Sequence, residues 1–147
     1  VRPAIRPAVA ADLDAVSGLD AACFGAEAWS TVSWSSEFAR ADRVILVADE
    51  GDVVGYVVLL VPPVEVDVVE LLRIAVRPEE RRTGIGRQLM AAALERCAGR
   101  TVLLEVAAGN ESAIALYGGY GFEQISRRRG YYAGGEDAVI MRWRETA

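Results

Sequence analysis

The run Leu71-Leu72-Arg73-Ile74-Ala75-Val76-Arg77-Pro78 and its continuation Glu79-Glu80-Arg81-Arg82-Thr83-Gly84-Ile85-Gly86-Arg87-Gln88-Leu89 decide how this chain is read. The first half is apolar and strand-like, and Arg77-Pro78 stops it, because proline lacks the ladder donor and biases its predecessor away from helix. The second half opens a helix: Ile85, Leu89, Ala92, Ala93 and Cys97 trace one stripe through residues 84–98, with Gly99 in the C-terminal cap position. Between them lies Arg81-Arg82-Thr83-Gly84-Ile85-Gly86. Glycines there let the backbone approach a ligand, and free amides at a helix N-terminus point at anions. A pyrophosphate fits, with Arg77, Arg81, Arg82 and Arg87 supplying the opposite charge. The segment is not a Walker loop and lacks the dinucleotide-fold glycine spacing. A solvated, Arg-rich turn is the plain alternative.

Outward from this stretch the pattern alternates. Residues 5–9 read as a strand. Leu13, Val16, Leu19 and Cys23 recur at helical spacing, with Asp12 and Asp14 at the positive end of the dipole. Ser30 suits the N-cap of a short helix through Trp34 and Phe38 to Ala39. Residues 44–48 and 53–60 are β-branched runs around the turn Asp49-Glu50-Gly51-Asp52, and 66–76 is a further strand. Residues 102–106 read as a buried strand that contains Glu105. Asn110 precedes a helix with Ala113, Ile114, Leu116 and Tyr117, closed by Gly118, Gly119 and Gly121, and residues 123–129 and 138–143 are the last strands. This order predicts an α/β fold with a mixed sheet.

The 147 residues suit one domain, 1–147, and 52% hydrophobic with 25% charged residues exclude disordered and fibrous classes. The longest apolar run, 53–64, is broken by Gly55, Pro62 and Pro63 and falls short of the roughly 20 residues of a membrane span. With Arg2, Arg6 and Asp12 near the start and no secretory pattern, a cytoplasmic protein without membrane contact is expected. A net charge of -5 argues against nucleic acid as a partner. The absence of histidine removes Ser-His-Asp and Cys-His mechanisms, and Cys23 and Cys97 have no Cys-x-x-Cys spacing, so no metal is expected and both read as buried free thiols.

Arg-x-x-Gly-x-Gly after the strand 71–76 resembles the acyl-coenzyme A loop of the GCN5-related N-acetyltransferases, and the resemblance extends over nearly the whole chain. Two further segments, Leu104-Glu105-Val106-Ala107-Ala108-Gly109-Asn110 with Ala113-Ile114-Ala115-Leu116-Tyr117, and Arg128-Arg129-Gly130-Tyr131-Tyr132 with Glu136-Asp137-Ala138, are similar to the RimI branch, which acetylates the N-terminal alanine of a small-subunit ribosomal protein. The tyrosine pair also occurs in eukaryotic N-terminal acetyltransferases. The resemblance implies a mixed, mostly antiparallel sheet flanked by helices, acetyl-CoA as a dissociable cosubstrate, and a protein N-terminus as acceptor. It implies that Ile74, Ala75 and Val76 pair with the pantetheine arm, and that Arg81, Arg82, Thr83, Gly84, Ile85, Gly86 and Arg87 hold the pyrophosphate. Asn110 binds the pantetheine arm or caps its helix. Glu105 is the implied base, Tyr117 the implied acid, and Tyr131 and Tyr132 a lid over the peptide terminus. Ala107-Ala108-Gly109 departs from the branch, where a polar or basic residue is common.

Each assignment has a plainer counterpart. Glu105 could end a strand paired with an arginine, Tyr117 could be a core aromatic, and Tyr131 and Tyr132 could be strand-edge aromatics. Glu65, Asp67, Glu70, Glu136 and Asp137 read as a solvated surface or as a field for a basic tail, which Arg127-Arg128-Arg129 would oppose. Acetyl transfer needs a neutral amine, and an α-amino group with a pKa of about 8 is easier to deprotonate than a lysine at about 10.4. A small-molecule amine acetyltransferase and an inactive acyl-CoA-binding module are the other functions open to this sequence.

Overall fold

The computed structural model describes residues 3–97, 99–132 and 134–145; the expected helix end at Ala98 and the outermost ends of the span 1–147 lie outside them. The strands are β1 (Ala4–Pro7), β2 (Arg43–Asp49), β3 (Val53–Leu60), β4 (Val68–Val76), β5 (Thr101–Ala107), β6 (Glu123–Arg128) and β7 (Ala138–Trp143). The helices are α1 (Leu13–Phe24), α2 (Thr31–Ala39), α3 (Ile85–Glu95) and α4 (Glu111–Gly119). They form one seven-stranded sheet in the order β1-β2-β3-β4-β5-β7-β6. Every pairing among the described residues is antiparallel except β4 with β5. The expected mixed, mostly antiparallel sheet flanked by helices is the fold.

β2 and β3 read as unbroken apolar runs because both of their faces are covered. Leu46, Val57 and Leu59 pack with Ile85, Leu89, Met90 and Ala93 of α3 on one face. Ile45, Val47, Tyr56 and Val58 pack with Val16 and Leu19 of α1 and Trp34 of α2 on the other. Gly55 lets α3 sit close, since a Cβ there would lie 2.9 Å from Leu89 Cδ1 and 3.1 Å from Ala75 O. Ser30 Oγ accepts from Ser33 N at 3.0 Å, the expected cap of α2.

Several ends differ from the sequence pattern, each for a local reason. β1 closes at Pro7, and Val66 lies in a turn in which its amide donates to Pro63 O, so β4 starts at Val68. β6 ends at Arg128. α3 stops at Glu95, and Cys97 N and Arg100 N then continue in turns on Leu94 O and Cys97 O, leaving Gly99 beyond the helix. Cys97 is buried, which pushes its thiol up to about 11, whereas Cys23 is half-buried; both are free. The buried strand expected at 102–106 is buried on one face: Val102, Leu104 and Val106 join the core beneath α3, while Glu105 is exposed on the α1 side.

The feature that positions the site is a parting of the sheet. β4 and β5 pair at Val68↔Thr101, Val69↔Val102 and Glu70↔Leu103, and no further register pair follows. Beyond that point β4 follows β3 and β5 follows β7. A register shift sets Val58 against Arg73 and Leu59 against Leu71, so Leu72 bulges where the strands separate. A bulge bends its strand and strengthens the local twist.

Candidate active site

On the α3 side of the parting, β4 offers a free edge. Arg77 N donates to Val54 O at 2.7 Å, so alternation turns the amides of Ile74 and Val76 toward the open side, and that of Ala75 toward β3. Val76 O already accepts from Arg81 Nε at 3.2 Å and Cys23 Sγ at 3.6 Å. The backbone of Ile74 and the Val76 amide remain for a ligand, while Ala75 places its methyl in the core beneath α1.

The loop after β4 passes through a short turn, Pro78–Glu80, closed by Thr83 Oγ1 donating to Glu80 O. Arg82 has φ +67° and Gly84 φ +89°, a left-handed pair immediately before α3. The amides at the start of α3 have no intrahelical partner. Arg82, Thr83, Gly84 and Arg87 are exposed beside them, and Ile85 anchors the helix in the core. A Cβ on Gly86 would meet Val76 Cγ2 at 3.6 Å and Tyr120 Oη at 3.7 Å, and the Arg87 guanidinium lies 5.5 Å from the centre of the Tyr120 ring. Arg77 does not join this cluster. It turns away to Asp52 Oδ2 at 3.0 Å on the β2–β3 turn. Tyr120 is a loop neighbour that helical spacing alone does not reveal.

Asn110 Oδ1 accepts from Ala113 N at 3.2 Å and caps α4. About two turns on, Tyr117 is half-buried with its ring 6.0 Å from that of Phe122, so its core-aromatic role is real. Burial first, and the neighbouring Tyr120 second, lift its phenol above the ordinary value. At neutral pH it is therefore protonated.

The opposite face of the parting carries Glu105 and the β6–β7 connection. Neither Tyr131 nor Tyr132 lies on a strand; their rings stand edge to face at 5.1 Å, with Tyr131 49% exposed. Asp137 fixes this loop by accepting from Gly130 N at 2.9 Å and Arg127 Nε at 2.7 Å, which together hold its carboxyl below the usual range. Glu136 Oε2 accepts from Gly109 N at 2.9 Å, and a Cβ on Gly109 would lie 2.5 Å from that oxygen. The departure at Ala107-Ala108-Gly109 thus makes room for a carboxylate latch. The Tyr132 phenol is raised by burial, then by Glu105, Tyr131, Glu136 and Glu27. Carboxylates from three segments thus act electrostatically on one phenol. Glu65, Asp67 and Glu70 lie at the far end of β4 and do not extend this field, since Asp67 O accepts from Thr101 N where β4 and β5 still pair.

A buried network ties α1 to β4 behind this slot. Asp20, fully buried, accepts from Tyr56 Oη, Arg73 Nε at 2.8 Å, Trp29 N at 2.8 Å and Trp34 Nε1 at 3.2 Å. Arg73 also donates to Glu27 O at 3.0 Å and lies 3.7 Å from the Phe24 ring centre, so it fixes the segment that carries Glu27. Burial and then Asp20 drive the Tyr56 phenol far above its ordinary value. The sequence holds one hint: Asp20 continues the apolar stripe of Val16 and Leu19, where an acid demands a partner.

Residues 13–122 match the Acetyltransferase (GNAT) family. The chain belongs to that family. Acetyl-CoA is the cosubstrate of GNAT enzymes. The chain is 34% identical over 139 residues to the N-alpha-acetyltransferase RimI of Mycobacterium tuberculosis, covering 90% of this chain and 86% of that protein. An uncharacterised protein of Mycobacterium leprae is 37% identical over 139 residues, and this GNAT chain spans 38% of its length. The crystal structure of the ribosomal-protein-S18-alanine N-acetyltransferase from Escherichia coli superposes with a TM-score of 0.84 at 30% identity, covering 95% of this chain and 92% of that one. Among the described residues no helix is long and apolar enough to cross a membrane.

Proposed function

We propose that this GNAT enzyme acetylates the α-amino group of a protein N-terminus, an alanine at the end of a small-subunit ribosomal protein, in the cytoplasm. The observation that carries the reading is the two-sided parting of β4 and β5: an anion-type loop and a free strand edge on one side, a carboxylate and tyrosine slot on the other. The similarity to the two alanine and α-amine acetyltransferases supports it.

Acetyl-CoA supplies an activated thioester. The amides at the start of α3, with Arg82, Thr83, Gly84, Gly86 and Arg87, suit its pyrophosphate, and the positive φ values of Arg82 and Gly84 expose the backbone they need. Arg81 anchors the loop on Val76 O, and Ile74 and Val76 offer amides to the pantetheine arm by strand addition. Asn110, by capping α4, fixes the helix that presents Tyr117.

On the acceptor side, Glu27, Glu105 and Glu136 attract an ammonium, and Tyr131 and Tyr132 narrow its path. Glu105 takes the proton that must leave before nitrogen can attack, directly or through a water. An α-ammonium with a pKa of about 8 gives it up more readily than a lysine at about 10.4. Tyr117 Oη, kept protonated by burial, donates to the departing sulfur. A coenzyme-release assay tests the acceptor with an alanine-terminated ribosomal peptide, the same peptide with a blocked terminus, a lysine-bearing control and a polyamine. The free terminus is expected to be the best acceptor. Greatest turnover with the blocked peptide or the polyamine contradicts the reading.

A further inference from the structure

β6 ends in arginines that the sheet sends to different partners. Arg127 turns to Asp137 within its own hairpin. Arg128 instead crosses a neighbouring strand. The register sets Arg128 against Ala138 of β7 and Ala138 against Ala107 of β5, and Ala107 shares a face with Glu105 two positions earlier. Ala138 is small and fully buried, so little stands between the Arg128 stem and β5. The guanidinium stops with Nη1 3.6 Å from Glu105 Oε1 and with Cζ 5.2 Å from the centre of the Tyr131 ring.

That separation is an ion pair without a hydrogen bond. The Glu105 oxygens keep their lone pairs for a water or an amine, while the ring of Tyr131 attracts the same cation. Arg73, on the same face, is committed to Asp20 and Glu27 O. We infer that Arg128, seated on Tyr131, is the positioning residue that sets the direction of the Glu105 carboxylate in the acceptor slot. This rests on the proposed part of Glu105 in acetyl transfer. Arg128 touches no reacting atom; its effect passes through the carboxylate beside it.

The test compares the unaltered protein with Arg128→Gln, Arg128→Lys, Glu105→Gln and the Glu105→Gln/Arg128→Gln pair, using an alanine-terminated peptide. Calorimetric affinity for acetyl-CoA, with the KM for acetyl-CoA, shows that each variant is folded. Arg128→Gln is expected to lower kcat about tenfold at unchanged KM for acetyl-CoA, the scale of a misdirected catalytic group, and Arg128→Lys to restore it to within about threefold. In the Glu105→Gln background the second substitution is expected to cause no further loss, because coupled residues are not additive. Unchanged kcat in Arg128→Gln, or the same tenfold loss repeated in the Glu105→Gln background, overturns the inference alone. Full turnover by Glu105→Gln removes the base itself and takes this inference with it.

Discussion

Two carboxylate–guanidinium pairs lie on the same face of the sheet and serve opposite ends. Asp20, fully buried, meets the largely buried Arg73 at 2.8 Å, with every remaining acceptor position of Asp20 taken by tryptophan, tyrosine or backbone donors. Glu105 and Arg128 stand 3.6 Å apart with side chains 35% and 57% exposed, and neither is saturated. Saturation fixes a scaffold: the first pair locks α1 and the Glu27 segment to β4. Openness leaves a carboxylate able to exchange partners, as the proposed base must do in each turnover. Identical ions are thus separated in role by burial and by the number of competing donors.

The sharpest way to break that contrast is to exchange the readouts. Glu105→Gln should lower kcat by about 10²–10⁴-fold, the usual worth of a general base, while its unfolding free energy shifts by no more than about 0.5 kcal/mol. Asp20→Ala should do the reverse. Depriving the largely buried Arg73 of its carboxylate costs about 3–5 kcal/mol in urea denaturation, and turnover of the folded fraction should persist at low temperature. If Asp20→Ala is as stable as the parent, the buried pair is not a scaffold.

Tyr117→Phe sharpens the other side of the parting. A kcat loss of about 10²-fold is expected with acetyl-CoA affinity retained. The direction of the pKa gives a second signature. Burial raises the phenol, so its proton is present through neutral pH and is lost only above the ordinary tyrosine range of about 10. The alkaline fall of kcat should accordingly lie above that range in the parent and be absent from Tyr117→Phe. The smallest effect is expected at Ser30→Ala, which removes the Ser33 amide's partner and should cost about 1 kcal/mol of stability without touching turnover.

Much of the scaffold is legible in the chain because its determinants are local. The stripe of Ile85 and Leu89, the left-handed Gly84, the Ser30 cap and the Asn110 cap each act within a turn of helix. The loop follows from them, whereas Tyr117 is singled out by the family resemblance and would otherwise read as a core aromatic. The parting of β4 from β5 is not legible, since it depends on where two strands distant in sequence stop pairing. Glu105 reads as buried because its neighbours Leu104 and Val106 are apolar, yet strand alternation turns it outward. Arg128 is indistinguishable from Arg127 and Arg129 until the register across β6, β7 and β5 is known. Asp20 announces itself by position, but its partner Arg73 lies 53 residues away.

The most direct test of acceptor choice uses a single peptide with a free N-terminal alanine and one internal lysine, incubated with enzyme and acetyl-CoA and fragmented in a mass spectrometer to locate the acetyl group. Acetylation of the alanine nitrogen, reduced in step with turnover in Glu105→Gln, is the expected result. Acetyl on the lysine side chain with the terminus left free would contradict it.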